Sequence, residues 1–327
     1  MSIQQGDSHD AGHNPVAVPS ASGHTVQPAP AAEPAPAAQP APAAEPAPGH
    51  TVQPALIVEL LGLALRAAAA GAAVLATRDP AAFAAQAKGS DADWVTAFDV
   101  AAERAIRETI AAARPHDAIT GEELAPAVSA SPSGFRWSVD PLDGTMNFIR
   151  NIAYYGTSVA VQGPDGAWLA GVVAAPGLRR TYFASKGGGA WLEEQAANGR
   201  TAVHPLNGPQ RARNGQLLAT SLTYDPAVRS RLAAELDGRM RNFNDFRRLG
   251  SAALELCAVA EGGVDAYLEF GLYEHDFAAG ALIAEEAGAW VRRPELSSAL
   301  DGLPTPEQVL ASWTAASIPA LGGKFTP

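Results

Sequence analysis

The sequence is poor in cysteine, since Cys257 is the only one among 327 residues. An intramolecular disulfide is therefore impossible, which excludes the disulfide-stapled secreted domains and favours a reducing cytoplasm. The opening residues, MSIQQGDSHDAGHNP, lack the basic start and the apolar run of a secretory signal peptide. Cys257 precedes Ala-Val-Ala, which is typical of a small core residue rather than a catalytic thiol.

Positive charge is also scarce. Lys and Arg number 23 against 34 Asp and Glu, so the formal net charge is −11. Nucleic acids and anionic membranes attract proteins of the opposite balance, and we expect neither as a partner. Apolar residues make up 47 % of the chain, which is enough for a globular core, and the length predicts about two domains.

One apolar run, residues 55–76, is long enough to cross a bilayer. Glu59 and Arg66 interrupt it, and much of the remainder is alanine. Helical spacing relates four of its apolar residues, Leu56, Leu60, Leu63 and Val74. We interpret the run as a buried helix of a soluble fold, with a membrane span as the alternative.

Residues 1–54 differ in composition from the rest of the chain. They contain a Pro-Ala repeat, no Lys or Arg and very few large apolar side chains. Such a segment cannot bury enough surface to offset its ordering entropy, so we predict a disordered, extended tail. We expect residues 55–200 to form an α+β lobe with most of the metal ligands. Residues 201–327 would form an α/β lobe that completes the active site.

Helical and strand patterns alternate after Ile57. Apolar spacing predicts a second helix over residues 98–113. Short strands punctuated by Gly and Pro follow, and they predict antiparallel pairs. A looser stretch, residues 193–215, reads as the connection to a second half that mixes strands and helices. The pattern as a whole predicts an α/β or α+β fold.

Acidic residues recur where strands or turns end. Four motifs carry them: Asp99 in WVTAFD, Glu122 and Glu123 in TGEE, Asp140 and Asp143 in DPLDGT, and Asp276 in YEHDFAAG. Taken alone, an Asp-x-x-Asp-Gly motif is usually a turn or an N-cap, and a Glu pair is usually solvated surface. The four motifs together favour a metal site.

Magnesium is the cation that this chemistry predicts. Mg²⁺ binds through one or two carboxylates and completes its shell with water and substrate phosphate. A pair of ions needs a bridging carboxylate with others on either side. Glu122, Asp140, Asp143 and Asp276 would supply that set, with the main-chain carbonyl of Leu142 as a further ligand.

Gly144 and Thr145 follow Asp143 directly and predict the start of a helix. Free N–H groups and the positive end of the helix dipole favour a bound phosphate there. Thr145 would contact the attacking water, and Asp99 would accept its proton. The glycine run Lys186–Gly189 lacks the Ser/Thr and helix of a phosphate loop, so we predict a hairpin turn instead.

The ordered motifs VTAFD, GEE, DPLDGTMNF and HDFAAGALIAEEAGA resemble those of the inositol monophosphatase family. The segment RRLGSAALELCAVAEGGVDAYLEFG is also similar, so the resemblance covers about residues 56–292. It implies a layered αβαβα sandwich, of the type shared with fructose-1,6-bisphosphatase, that is commonly a homodimer. It also implies a lithium-sensitive sugar-phosphate phosphatase that uses two or three Mg²⁺ ions per active site.

Carried onto this chain, the resemblance assigns a role to each position. Glu122, Asp140, Leu142, Asp143 and Asp276 would bind metal, and Asp99 and Thr145 would activate water. Contacts with the substrate would come from Gly144, Thr145, Ser251, Ala252, Glu269 and Asp276. Lys88 would lie on a loop that closes over the metals. The family usually has a tryptophan where this chain has His275, a departure that bears on substrate preference.

We therefore expect a cytoplasmic Mg²⁺-dependent phosphomonoesterase. Its predicted substrate is myo-inositol 1-phosphate or a similar polyol phosphate. Histidinol phosphate is the closest alternative, followed by 3′-phosphoadenosine 5′-phosphate and fructose 1,6-bisphosphate. A non-catalytic scaffold or regulatory protein on the same fold is the alternative from a different class.

Overall fold

The structure is a computed structural model that describes most of the chain after Thr51. The described residues are 52–78, 85–88, 90–208, 216–223, 226, 229–230, 232–234, 238, 241, 243–294, 308, 312–317, 319 and 321. The predicted tail lies outside them, apart from its last three positions, where Pro54 already opens a helix.

Five α-helices have complete bounds in the described part of the chain. They are α1 (Pro54–Ala76), α2 (Ala97–Ala113), α3 (Thr145–Ile149), α4 (Ala252–Glu261) and α5 (Glu274–Glu286). The predicted helices over residues 55–76 and 98–113 are confirmed to within one residue at each end.

The described strands form a hairpin and two larger sheets. They are β1 (Ala85–Lys88), β2 (Ser90–Thr96), β3 (Ala118–Gly121), β4 (Arg136–Asp143), β5 (Gly156–Gln162), β6 (Trp168–Ala175), β7 (Arg180–Ser185), β8 (Gly189–Gln195), β9 (Thr201–Leu206), β10 (Leu217–Thr220), β11 (Asp245–Arg247), β12 (Ala266–Phe270), β13 (Trp290–Arg292) and β14 (Trp313–Ser317). Strands β1 and β2 form the hairpin.

The larger sheet has the strand order β3-β4-β5-β6-β7-β8-β9, and the smaller has the order β11-β10-β12-β14-β13. In the larger sheet β3 runs parallel to β4, and every later pair is antiparallel. In the smaller sheet β10 is parallel to both β11 and β12, while β14 is antiparallel to β12 and β13. The predicted α/β class is confirmed.

Two apolar cores cover the two faces of the larger sheet. Helices α1 and α2 pack on one face through a core that includes Ile106 and Trp137. Helices α4 and α5 pack on the other face, and their core extends to Tyr267 of the smaller sheet. The layers therefore run α, β, α, β, which agrees with the first four layers of an αβαβα sandwich.

Small residues dominate the buried face of α1. It consists of Leu60, Leu63, Ala64, Ala67, Ala68, Gly71 and Leu75. Leu56 and Val74, which spacing placed on the buried stripe, are only half-buried. The Ala-Gly face allows close packing, since a Cβ on Gly71 would lie 2.8 Å from Cδ1 of Ile106.

By length and composition, α1 is the one helix in the described part of the chain that could cross a membrane. Its apolar face packs instead against α2 and the larger sheet, in the same core as Trp137. This packing agrees with its interpretation as a core helix.

The predicted loose stretch after Leu192 is partly wrong. Glu193–Gln195 end β8, and Thr201–Leu206 form the edge strand β9, whose first five residues are exposed. A strand with both faces in water shows no alternation of apolar and polar residues, so its pattern resembles that of a loop.

The predicted hairpin at Lys186–Gly189 is confirmed as the turn between β7 and β8. The carboxylate of Glu286 accepts hydrogen bonds from the N–H groups of Gly187 and Gly189, at 2.9 and 3.0 Å. An internal anion therefore occupies these glycine N–H groups.

Candidate metal and phosphate site

Strand β4 ends in an irregular stretch that displays the first acidic pair. Asp140 pairs with Ser158 of β5 and Asp143 with Gly156, so the register shifts between the two aspartates. Pro141 lies inside this shift, a position where a missing N–H leaves no gap in the ladder. Asp140 is 1 % exposed, and its Oδ1 accepts a 2.9 Å hydrogen bond from the N–H of Leu142.

Asp143 is held from the other half of the chain. Its Oδ2 accepts a 2.6 Å hydrogen bond from the Ser251 hydroxyl and a 2.7 Å bond from the N–H of Ala253. Ser251 is the N-cap of α4, and its hydroxyl also accepts a hydrogen bond from the N–H of Leu254. The start of α4 therefore orients the Asp143 carboxylate.

Asp276 lies in the first turn of α5, where its Oδ2 accepts a 2.6 Å hydrogen bond from the N–H of Tyr273. The same turn is tied to β4 by an ion pair between Glu274 and Arg136. Arg136 also donates a 2.7 Å hydrogen bond to Oε1 of Gln162. These bonds fix the position of α5 against the larger sheet.

Glu122 lies in the loop that follows β3, and its side chain is exposed. The next two residues are bonded to the fully buried carboxylate of Glu103 on α2, through the N–H groups of Glu123 and Leu124 at 2.7 and 3.4 Å. We did not predict Glu103 as part of the site. Its spacing from Arg107 is typical of a solvated i, i+4 pair, and only the tertiary structure shows the contact.

Four of the predicted metal ligands interact electrostatically. Removal from water raises the pKa of Asp140 well above its usual range, and the negative charges of Glu122, Asp143 and Asp276 raise it further. Desolvation, followed by the charge of Asp276, raises the pKa of Asp143 to about 7. Desolvation also raises the pKa of Asp276 to about 7. The fold thus concentrates negative charge where the sequence predicted it.

Magnesium fits this donor set. Among the residues that the structure describes, no three acidic, histidine or cysteine side chains form a ready-made cluster around one point. Mg²⁺ does not require one, because it usually keeps several waters and takes one or two carboxylates. A buried carboxylate whose pKa is raised by its neighbours gains most from a cation. The effects of Asp143 and Asp276 on the pKa of Asp140, and of Asp276 on that of Asp143, therefore match a site for hard cations.

The segment after Asp143 begins with Gly144 at φ 92°. A Cβ there would lie 3.1 Å from the carbonyl oxygen of Tyr154 and 3.2 Å from that of Gly250, so the turn requires glycine. The predicted helix start at Thr145 is confirmed, but α3 has only five residues and its dipole is correspondingly small.

Thr145 and Leu142 are joined by a hydrogen bond of 3.1 Å from the threonine hydroxyl to the leucine carbonyl. A carbonyl oxygen has two lone pairs, so this bond leaves Leu142 able to accept a second partner. Asp99 is 1 % exposed and lies in the first turn of α2, which begins at Ala97. Lys88 is the last residue of β1, in the β1–β2 hairpin.

The positions assigned to the substrate surround the same region. Ser251 and Ala252 are buried at the start of α4, with the Ser251 hydroxyl on Asp143. Glu269 lies on β12 and accepts a 2.8 Å hydrogen bond from the Tyr267 hydroxyl. Desolvation raises the pKa of Glu269 well above its usual range, and the charge of Glu255 adds to this effect.

Glu255 is a buried carboxyl that sequence patterns did not single out. Its Oε1 accepts hydrogen bonds from the N–H groups of Leu249 and Gly250 at 2.6 and 3.0 Å. Desolvation is the main cause that raises its pKa to about 7. Glu255 thus orders the loop that leads into Ser251.

His275, at the position where the resemblance expects tryptophan, stacks on Tyr273 with ring centroids 5.7 Å apart and planes 10° apart. Its Nε2 lies 3.7 Å from Oδ1 of Asp276. The main-chain carbonyl of His275 accepts a 3.3 Å hydrogen bond from the Ser158 hydroxyl. The ring therefore lies beside a predicted metal ligand.

The model of the inositol monophosphatase family matches residues 57–317, which is most of the chain. The chain belongs to the inositol monophosphatase family. The resemblance stated from the motifs is thereby confirmed. The family is one of phosphatases that act on phosphorylated polyols and generally depend on Mg²⁺.

The similar proteins include some named inositol-1-monophosphatase and some named Nus factor SuhB. The chain is 42 % identical over 209 residues to the inositol-1-monophosphatase of Mycobacterium bovis, covering 63 % of this chain and 70 % of that protein. It is 37 % identical over 235 residues to the Nus factor SuhB of Escherichia coli K12, covering 71 % of this chain and 84 % of that protein.

Solved structures of family members have the same fold. The extragenic suppressor protein suhB of Bartonella henselae matches with a TM-score of 0.68 and 28 % identity, over 81 % of this chain and 96 % of that one. Mycobacterium tuberculosis SuhB matches with a TM-score of 0.61 and 33 % identity, over 83 % of this chain and 93 % of that one.

Proposed function

We propose that this chain is a phosphoric monoester hydrolase that converts the phosphate ester of a small polyol, most simply myo-inositol 1-phosphate, to the free alcohol and phosphate. The observation that carries the proposal is that the charge of Asp276, on α5, raises the pKa of both Asp140 and Asp143 at the end of β4, which lies far from α5 in the sequence. A fold without a cation to bind would gain nothing from keeping these carboxylates together.

We further propose that Glu122, Asp140, the carbonyl of Leu142, Asp143 and Asp276 hold two or three Mg²⁺ ions. Bound magnesium would neutralise charge on the phosphoryl oxygens and lower the pKa of coordinated water. The negative charges of Glu122, Asp143 and Asp276 all raise the pKa of Asp140, so its carboxyl is within electrostatic reach of each of them. It is therefore our candidate for a bridging ligand.

Thr145 and Asp99 would handle the attacking water. The Thr145 hydroxyl donates a hydrogen bond to the main-chain carbonyl of Leu142, so its oxygen can accept a hydrogen bond from that water. The Asp99 carboxylate would then receive the proton that the water loses, as a general base. The N–H groups of Gly144 and Thr145 would hold the phosphate at the turn that follows Asp143.

Ser251, Ala252 and Glu269 would contact the alcohol, together with Asp276. Burial raises the pKa of Glu269, and a protonated carboxyl can donate as well as accept a hydrogen bond to a hydroxyl. His275 lies beside Asp276 and is our candidate for the residue that distinguishes one small alcohol from another.

Phosphate release by the purified full chain, with and without Mg²⁺, tests the hydrolase. The panel holds inositol 1-phosphate, histidinol phosphate, fructose 1,6-bisphosphate and 3′-phosphoadenosine 5′-phosphate. We expect Mg²⁺-dependent release that is strongest with inositol 1-phosphate. Asp140→Asn should reduce the rate by more than about 100-fold, since even indirect partners of metal ligands cost 10- to 100-fold.

Asp165→Asn is the matched control. Asp165 is an exposed aspartate in the turn between β5 and β6, and its change should leave the rate as it is. If a folded, Mg²⁺-supplied protein released phosphate from none of the four esters, the hydrolase proposal would be wrong.

A scaffold or regulatory role is the second candidate, and the relatives named Nus factor SuhB favour it. Asp140→Asn separates the two roles. A hydrolase would lose turnover in that variant, whereas a scaffold would retain its protein partner in a pull-down. We also propose a cytoplasmic homodimer, for which light scattering of the purified chain gives the subunit number.

A further inference from the structure

One face of α2 carries three charged residues at successive turns. Asp99, Glu103 and Arg107 are four residues apart, so their side chains follow one another along the helix. Glu103 is 0 % exposed, although a buried carboxylate is costly unless it is fully hydrogen-bonded. Its bonds therefore indicate why the fold retains it.

Glu103 is bonded to the main chain of the loop after β3. Its Oε2 accepts a 2.7 Å hydrogen bond from the N–H of Glu123. Its Oε1 accepts a 3.4 Å bond from the N–H of Leu124 and a 2.7 Å bond from Nε of Arg107. The carboxylate thus binds the two N–H groups that directly follow Glu122.

Arg107 completes the contact from the other side. Its Nη2 donates to the carbonyl of Leu124 at 2.9 Å, and its Nη1 donates to that of Ala125 at 3.0 Å. Two side chains of one helix therefore bind the N–H groups of Glu123 and Leu124 and the carbonyls of Leu124 and Ala125. Charge-assisted bonds of this kind are about twice as strong as neutral ones.

Gly121, the residue before Glu122, leaves room for this contact. A Cβ on Gly121 would lie 2.3 Å from Oε1 of Glu103, closer than any real contact. Only glycine leaves room for the carboxylate beneath the loop. The Glu122 side chain is itself exposed.

We infer that Glu103 and Arg107 are positioning residues that hold the Glu122 loop at the geometry required for binding Mg²⁺. The inference rests on the proposed function, in which Glu122 is a metal ligand and Asp99 a base. Because α2 carries Asp99 in its first turn and binds the Glu122 loop one and two turns later, this single helix sets the position of both.

Glu103→Gln tests the inference, because glutamine keeps the size but replaces one acceptor oxygen with a donor. The matched control is Glu108→Gln, the same change at an exposed position of the same helix. Isothermal titration with Mg²⁺ alone should show half-saturation at a concentration roughly 10- to 100-fold higher for Glu103→Gln, as for other partners of metal ligands. Glu108→Gln should match the wild-type chain.

Hydrogen exchange supplies a readout that does not depend on catalysis. In Glu103→Gln without metal, the peptide spanning residues 118–128 should exchange about tenfold faster, while peptides of the smaller sheet keep their rates. If Glu103→Gln had a lower melting temperature but an unchanged Mg²⁺ half-saturation, the inference would be overturned, and Glu103 and Arg107 would only stabilise the fold. If Glu103→Gln does not fold, Arg107→Lys serves in its place, since lysine keeps the charge but cannot bind two carbonyls and a carboxylate together.

Failure of the inference can be told apart from failure of the proposed function. A wild-type chain that binds Mg²⁺ but hydrolyses no ester would refute the hydrolase, while weaker Mg²⁺ binding by Glu103→Gln would still support the positioning role. A wild-type chain that binds no Mg²⁺ would refute both. Active enzyme with identical Mg²⁺ curves for the two variants would refute the positioning role alone.

Discussion

The Ser251 hydroxyl donates a 2.6 Å hydrogen bond to Oδ2 of Asp143, and this bond joins the N-terminus of α4 to the end of β4. The N–H of Ala253 reaches the same oxygen at 2.7 Å. Resemblance assigns Ser251 to the substrate, and the structure also gives its side chain a bond to a predicted metal ligand. Its substitution should therefore affect metal binding as well as substrate binding.

Ser251→Ala should weaken Mg²⁺ binding and lower the free energy of unfolding by about 1–3 kcal/mol. The variant loses a hydrogen bond to a charged group and the N-cap of α4. Titration calorimetry gives the first quantity and urea unfolding the second. Ser131→Ala, a change at an exposed serine, is the control. Unchanged Mg²⁺ binding in Ser251→Ala would refute the proposed link to Asp143.

Removal of Mg²⁺ by a chelator should lower the melting temperature of the wild-type chain. In the folded state the charges of Asp143 and Asp276 raise the pKa of Asp140, and the charge of Asp276 raises that of Asp143, so a bound cation would relieve this repulsion. A ligand at 100 times its dissociation constant adds about 2.7 kcal/mol to the free energy of unfolding. Asp140→Asn should respond much less, and Asp165→Asn should respond like the wild-type chain.

Stability with Mg²⁺ present should fall as pH rises because of Glu255. Burial raises its folded-state pKa to about 7, so the folded chain holds a proton that the unfolded chain releases at lower pH. This contribution is complete below about pH 4.5 and is lost as pH rises through about 7. It amounts to about 3 kcal/mol at most.

Glu255→Gln removes that titration while its amide oxygen can still accept from Leu249 and Gly250. Between pH 5 and about pH 8, its free energy of unfolding in urea should change less than that of the wild-type chain. Glu108→Gln should keep the wild-type slope. Equal slopes for Glu255→Gln and the wild type would show that Glu255 does not carry the effect.

The ion pair between Arg136 and Glu274 should make a large contribution to the position of α5. Their side chains are 7 % and 22 % exposed, so loss of one partner leaves a largely buried charge. Glu274→Gln should cost about 3 kcal/mol in the free energy of unfolding, and Arg136→Met a similar amount. The double variant should cost less than the sum of the two, in a double-mutant cycle by urea unfolding. Additive losses would contradict a direct interaction.

Much of the fold could be predicted because its signals are local. The helix predicted over residues 98–113, which the structure places at Ala97–Ala113, and the strands before and after Asp140 follow from spacing within one segment. The family and the α/β class were predicted and are confirmed. The roles of Asp99, Glu122 and the other site residues stay predictions, as does the division near residue 200.

The bonds that hold the site could not be predicted from local patterns. Glu103 and Arg107 have the spacing of an ordinary solvated pair, and nothing nearby in sequence indicates the loop that they bind. Glu274 and Arg136 are separated by 138 positions. Strand β9 was missed for a different reason, since an exposed edge strand carries no apolar period.

Helix α5 packs against strands of both sheets, from β4 to β8 on one side and β13 and β14 on the other. Neither sheet can therefore melt without uncovering the apolar surface that α5 shares with the other. Heating should give a single calorimetric transition, in which the van't Hoff enthalpy equals the measured enthalpy. The proposed site takes residues from both sheets and their helices, so it would be lost in the same transition. No intermediate would then bind metal while lacking the groups that contact the substrate.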